Sequence, residues 1–259
     1  MSDSKVRIDR EGPLAILTVA APPVNLFDRA MFDALLAALD ELDADPPRAL
    51  LLRAEGKVWT GGVDVHEFDG LTPQTGAQLW TDLFELIHRV EDLPYPTIFA
   101  AHGLCLTWGL ELALGCDLLL AAESAKFGLV EIVVGLTPSM GGPQRLAERA
   151  GPARAREVIF TGELFTAATF EAWNVVNRVY PDAEFAAEAK AFALRLANGP
   201  TKAHHATKQI IRMQIAGGAR AADDITPQVS GELFATEDLK GAVQSFLTQG
   251  PGKATYEGR

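Results

Sequence analysis

The sequence predicts an α/β fold with parallel strands and a helical C-terminal region. Three observations carry this reading. Over roughly the first 120 residues, short β-rich apolar runs alternate with amphipathic helical periods, the pattern of strands joined by crossover helices. After Ser139 the periodicity becomes helical. The chain of 259 residues is 48% apolar and 22% charged, so it can bury a full core and does not read as disordered.

The elements follow in order. Residues 5–9 and 14–20 are β-rich on either side of Gly12-Pro13, a hairpin signal closed by Pro22-Pro23. Asp28 precedes a helical face of Met31, Phe32, Leu35, Leu36, Leu39 and Leu42, and Pro46-Pro47 stops it. Residues 49–52 form a short buried strand, and residues 56–62 a loop. Leu79, Leu83, Leu86, Ile87 and Val90 mark a second amphipathic helix, ended by Pro94 and Pro96. Strands are predicted at 97–101 and 117–121, with a helix over 107–114 between them. Helices then follow at 145–149, 153–160, 183–197, 202–215 and 238–247. With no repeat or low-complexity linker, residues 1–200 read as the core and 201–259 as a helical region for assembly and cover of a site.

Charge and composition narrow the function. Lys and Arg number 23 against 34 Asp and Glu, a net charge of −11 that disfavours nucleic acid as a partner. Cys105 and Cys116 lie in apolar sequence outside any metal or redox spacing and read as buried thiols. Residues 1–12 are polar with no apolar signal core. The longest run without Asp, Glu, Lys or Arg, 93–110, contains Pro94, Pro96 and Gly103 and reads as turn, strand and helix start rather than a membrane span. The expectation is a soluble cytoplasmic protein with no membrane partner.

Generic motifs are absent: there is no P-loop, no dinucleotide fingerprint and no GxSxG elbow. His66, His88, His102, His204 and His205 have no metal-ligand spacing. Two acids stand out. Glu111 in GLELAL and Glu131 in GLVEIVV are lone carboxylates in apolar runs, costly unless paired, hydrogen-bonded or neutralised. Facing one pocket they could serve as acid and base; a structural ion pair, for instance with Arg145, is equally open on spacing alone. The glycine-containing segments WTGGVD (59–64) and LTWGLE (106–111) could present free N–H groups to an anion, or be ordinary turns.

Five ordered blocks resemble the crotonase family, the enoyl-CoA hydratase/isomerase group. PPVNL at 22–26 resembles its PxNAL element, and KVWTGGVD at 57–64 its KxFxAGxDL signature. HGLCLTWGLELALGCD at 102–117 resembles NGxxxGGGxELALxCD. FGLVEIVVGLTP at 127–138 and GGPQRL at 141–146 resemble FGxPEIxLGxxPxxGGTQRL. The resemblance implies a crotonase-like ββα spiral core whose helical C-terminal region supports a homotrimer or a dimer of trimers. It implies an acyl-CoA thioester as substrate, as in fatty acid metabolism, with no metal or redox cofactor because coenzyme A is part of the substrate. The oxyanion donors fall on the N–H groups of Val63 and Trp108, and the acid pair on Glu111 and Glu131. Gly62, Asp64, Val65, His66 and Lys253 fall in the substrate and CoA segments.

Two acids favour hydration of 2-enoyl-CoA, since an isomerase needs only the base at the position of Glu131. The alternatives are an enoyl-CoA isomerase or another acyl-CoA enolate enzyme, and a catalytically silent acyl-CoA-binding protein. The chain departs from the pattern at Trp59, where Phe is usual, and near His66, where a basic residue often follows. The C-terminal basic cluster is reduced to Lys253. Trp108 stands where Gly is usual. Its indole is expected to line the site and reshape the acyl pocket, so that Trp108→Gly would widen the acyl range.

Overall fold

The computed structural model describes residues 5–259, so the first four residues of the polar N-terminal stretch lie outside it. Strands β1 (Val6–Glu11) and β2 (Leu14–Val19) form the expected antiparallel hairpin, with Glu11 opposite Leu14. Gly12 makes the turn at φ +57°, a conformation that suits glycine. From β2 onward the sheet is parallel, through β3 (Ala49–Ala54), β4 (Thr97–Ala101), β6 (Leu118–Ala122) and β9 (Arg178–Tyr180). Strands β2, β3, β4 and β6 are largely apolar and buried because both faces are covered, as parallel sheets require, whereas the edge strand β9 is partly exposed. A second sheet holds β5 (Leu104–Leu106), β7 (Lys126–Gly128) and β8 (Phe165–Thr166).

The helices between strands have local causes. The Asp28 carboxylate accepts from the Met31 N–H at 2.8 Å and caps α1 (Arg29–Ala44), which buries Met31, Phe32, Leu35, Leu39 and Leu42. Thr72 and Thr75 cap α2 (Pro73–Asp92) reciprocally, with Pro73 in the first turn where it loses no bond. All eight residues of α3 (Trp108–Gly115) are buried and all but Glu111 are apolar, so this helix sits inside the molecule. Arg149 on α4 (Gly142–Ala150) donates to the carbonyls of Leu114 and Cys116 at 3.2 and 2.5 Å, closing the C-terminal end of α3. Cys105 and Cys116 are buried free thiols, as expected.

After α4 come α5 (Pro152–Thr161), α6 (Ala167–Ala172), α7 (Asp182–Ala197), α8 (Thr201–Glu232) and α9 (Glu237–Gln249). Helix α7 lies across the large sheet. Arg48 joins sheet and tail, donating to the Thr201 hydroxyl and to the carbonyls of Gly199 and Tyr256. The expected all-helical character after Ser139 is corrected at two places. Strands β8 and β9 are two and three residues long, too short for a period to register. The helix expected over 202–215 is present and is broken at Gly218 (φ 80°, ψ 175°), and the second helical stretch that runs from there to Glu232 is not among the expected elements. Among the described residues no helix is long and apolar enough to cross a membrane.

Candidate active site

Three parallel segments deliver the candidate residues to one edge. The loop through Thr60 bridges Cys105 in parallel, and β5 pairs with β7 in parallel with Leu106 opposite Gly128. Each segment then leaves at its C-terminal end: toward Val63, toward α3 with Glu111, and toward the 3-10 turn Glu131–Val134. Ligand sites in parallel α/β structures gather at such strand ends.

Glu111 is 2% exposed, and its Oε1 accepts from the Met140 and Gly142 N–H groups, each at 2.8 Å. A Cβ on Gly142 would stand 3.0 Å from that oxygen, which explains glycine there. Arg145 is not the partner of Glu111. Its guanidinium grips Glu91 through two bonds of 2.6 Å, so the ion-pair reading is corrected. Glu131 leaves Oε2 buried with no hydrogen-bond partner. Both acids line one cavity. Its other walls include Phe27, Phe32, Val63, Phe68, Leu79, Trp80 and Leu83.

Burial pushes the Glu111 carboxyl up to about 7, against the pull of the two N–H donors. Burial and then the charge of Glu111 push Glu131 up to about 8. Charge is therefore better housed on Glu111, and the proton on Glu131. A carboxyl whose folded pKa is raised destabilises the fold as pH climbs through that value, and costs nothing below its unfolded value of 4.5. Glu111→Gln keeps the acceptor and cannot ionise. Its melting temperature relative to wild type is therefore expected to rise between about pH 5 and pH 8.5, by a difference on the order of 3 kcal/mol in stability. Equal differences at both pH values would contradict the raised pKa.

The N–H groups of Val63 and Trp108 have no acceptor among the described residues. Around Val63 the chain is fixed: Phe27 N–H donates to the Gly62 carbonyl at 3.0 Å, and Asp64 N–H to the Phe27 carbonyl at 2.8 Å. That pattern turns the Val63 N–H away from the strand-like bridge. Trp108 opens α3, where a first-turn N–H has no intrahelical acceptor. Asp64 caps the 3-10 turn Val65–Phe68 and meets His66 Nδ1 at 2.6 Å, and that bond holds the Asp64 carboxyl below its usual range. Val65 and His66 are exposed on the same turn that sends Phe68 into the cavity wall. Gly62 sits in the loop at φ +117°. Lys253 is exposed on the C-terminal tail and is absent from the cavity wall, so the structure does not bring it to the acid pair.

The expected place of the Trp108 indole is corrected. It is fully buried, donates from Nε1 to the Thr60 hydroxyl at 2.8 Å, and has ring centroids 5.1 Å from both Phe27 and Trp59. It is not part of the cavity wall. An indole gains most where its surface is packed and its N–H is satisfied, and this interior offers both. Sequence reading missed the apolar wall and the two N–H groups that hold Glu111. Phe32, Leu79 and Leu83 register in helical periods, but a period does not separate a cavity wall from core.

The enoyl-CoA hydratase/isomerase family pattern matches residues 9–258. A probable enoyl-CoA hydratase of Bacillus subtilis (strain 168) is 31% identical over 237 residues, 90% of this chain and 92% of that protein. A short-chain-enoyl-CoA hydratase of Clostridium acetobutylicum is 28% identical over 250 residues, 95% of this chain and 96% of that one. A crystal structure of an enoyl-CoA "hydrates" subunit I from Geobacillus kaustophilus HTA426 superposes with a TM-score of 0.92 at 31% identity, over 98% of each chain. A family match over nearly the whole chain, on the same fold as solved relatives, shows that the protein belongs to the enoyl-CoA hydratase/isomerase (crotonase) family.

Proposed function

We propose that the protein hydrates 2-enoyl-CoA thioesters to 3-hydroxyacyl-CoA. The observation that carries this is the acid pair: Glu111 and Glu131 share one largely apolar cavity, and each has a raised pKa. In this reading the thioester oxygen accepts from the Val63 and Trp108 N–H groups. Glu111 takes a proton from water as the water oxygen bonds to C3. The alkene electrons move onto the thioester oxygen, where the two donors stabilise the enolate. The enolate collapses as C2 takes the proton of Glu131. Water has then added across the double bond, and passage of the proton gained by Glu111 to the now ionised Glu131 restores the pair. Coenzyme A stays attached throughout, and the chemistry calls for no further cofactor. Gly62 lies in the donor loop itself and Asp64, Val65 and His66 follow it; all four would border the CoA portion.

Purified protein mixed with short, medium and aromatic 2-enoyl-CoA substrates should bleach the enoyl absorbance. Turnover of 3-enoyl-CoA alone would replace hydration with isomerisation. Binding of acyl-CoA without turnover of either would leave a silent binding protein.

The same reading includes a homotrimer or dimer of trimers in a reducing cytoplasm. Phe234, Phe246 and Leu247 on the C-terminal helices are 75%, 60% and 75% exposed, more apolar surface than a lone subunit readily leaves in water. Two buried free thiols suit a reducing compartment. Mass measured in solution is expected at three times the 27.8 kDa chain or a multiple of that. A stable monomer at micromolar concentration would refute the assembly.

A further inference from the structure

The cavity shared by Glu111 and Glu131 has two kinds of apolar wall. Phe27, Phe32, Leu83 and Met140 line it and are at most 5% exposed, so packed core stands behind them. Phe68 and Trp80 line it too, but both are only half-buried. Facing the cavity leaves the first four residues almost no exposure, so the greater exposure of Phe68 and Trp80 is to the outside. Their ring centroids are 5.8 Å apart with planes at 53°, a favourable aromatic contact. This pair is the thin part of the wall, with the cavity on one side and solvent on the other.

Local structure sets the two rings there. Phe68 ends the 3-10 turn that Asp64 caps, directly after Val63. Trp80 stands three residues before Leu83 on α2, at the edge of the buried face that continues through Leu86, Ile87 and Val90. The space they close is small. The cavity holds about 50 Å³, against roughly 30 Å³ for one water in the liquid. That admits a few carbon atoms and leaves no room for an extended chain. We infer that the Phe68–Trp80 pair is the end wall for the acyl group, and that the substrate is a short-chain acyl-CoA whose tail stops against these rings. This deepens the function proposed above and rests on it for the thioester. Removing a buried wall residue would leave a closed hole in the core. Removing a ring of the thin wall would open a passage to solvent along which a longer tail can run.

The test measures kcat/KM on crotonyl-, hexenoyl-, octenoyl- and decenoyl-CoA for the full-length wild type, Trp80→Ala and Phe68→Ala. In wild type the value is expected to fall about 10-fold or more between crotonyl- and octenoyl-CoA. Trp80→Ala should raise the ratio of octenoyl to crotonyl activity about 10-fold or more, and Phe68→Ala should move it the same way. A merely loosened fold would lower every chain length together and leave the ratio alone. Phe68→Ala opens the same wall from the other side, so it decides if Trp80→Ala does not fold. A second readout needs no turnover. Calorimetry should find wild type binding butyryl-CoA more tightly than octanoyl-CoA, with the order reversed in Trp80→Ala. A wild type that takes octenoyl-CoA as well as crotonyl-CoA would overturn the inference. So would folded variants with the wild-type ratio and a common change in KM at every length, the behaviour of rings that border the CoA portion instead. A wild type inert toward every enoyl-CoA would defeat the hydratase reading alone, and the butyryl and octanoyl affinities would still decide on the wall.

Discussion

Glu111→Gln and Glu131→Gln are each expected to lower hydration of a short 2-enoyl-CoA by roughly 10²-fold or more, the usual contribution of a positioned acid or base. The two losses have different origins. Glu111 accepts two backbone N–H bonds at 2.8 Å, so its carboxylate is the better-supported anion and the natural base for water. Glu131 has a buried oxygen with no partner and a pKa near 8, so it retains a proton to give. In wild type kcat/KM should rise as Glu111 ionises around pH 7 and fall as Glu131 loses its proton around pH 8, giving a narrow bell. Because the two titrate as a pair, the limbs belong to the pair. Glu131→Gln should leave the remaining Glu111 limb near pH 7, because Glu131 still holds its proton, and no charge, while Glu111 ionises. The double substitution should cost less than the product of the single losses, since either alone disables the same step. If Glu111→Gln hydrated at nearly the wild-type rate while Glu131→Gln abolished all turnover, the chemistry would be that of a single base moving a proton between carbons.

How much of this was legible in the sequence depended on whether the signal was local. The α1 cap at Asp28, the proline stops, the hairpin at Gly12 and the buried strands all rest on neighbours in the chain and fall where the residues place them. Glu111 and Glu131 could be singled out as lone acids in apolar runs, but spacing left acid–base pair and ion pair open. What settles the partner of Arg145 is Glu91, 54 positions away on a different helix. The short strands β5, β7, β8 and β9 carry no period of their own and exist because longer elements hold their ends together. The pairing of β5 with β7 is nonetheless what brings both acids to one edge. Side-chain direction was the least legible feature. A tryptophan at the first position of a helix can face a cavity or the interior with the same sequence, and the choice here falls to a hydroxyl at Thr60, 48 residues earlier.

That choice sets the second large expectation: Trp108→Ala should destabilise the protein by about 3–5 kcal/mol, the cost of emptying a large aromatic site in a packed core. The indole touches Phe27 and Trp59, and Trp59 in turn stacks on Phe99 at 4.3 Å, so little can collapse into the space. Function should suffer by a separate route. The Thr60 hydroxyl oxygen accepts from Trp108 Nε1 at 2.8 Å and from the Gly62 N–H at 2.9 Å, and donates to the Asn25 carbonyl at 2.7 Å. Through that one oxygen the start of α3 is tied to the loop that carries the Val63 N–H. Trp108→Phe fills most of the volume but cuts the tie. It should lose only about 1–2 kcal/mol, in keeping with one buried hydrogen bond and a partial cavity, while kcat drops with little change in KM. In neither variant should preference along a series of acyl chain lengths move, because the indole does not face the cavity. Melting followed beside kcat/KM for each chain length separates the two positions of the ring. A shift toward longer acyl groups with an unchanged melting temperature would put the indole back in the acyl pocket.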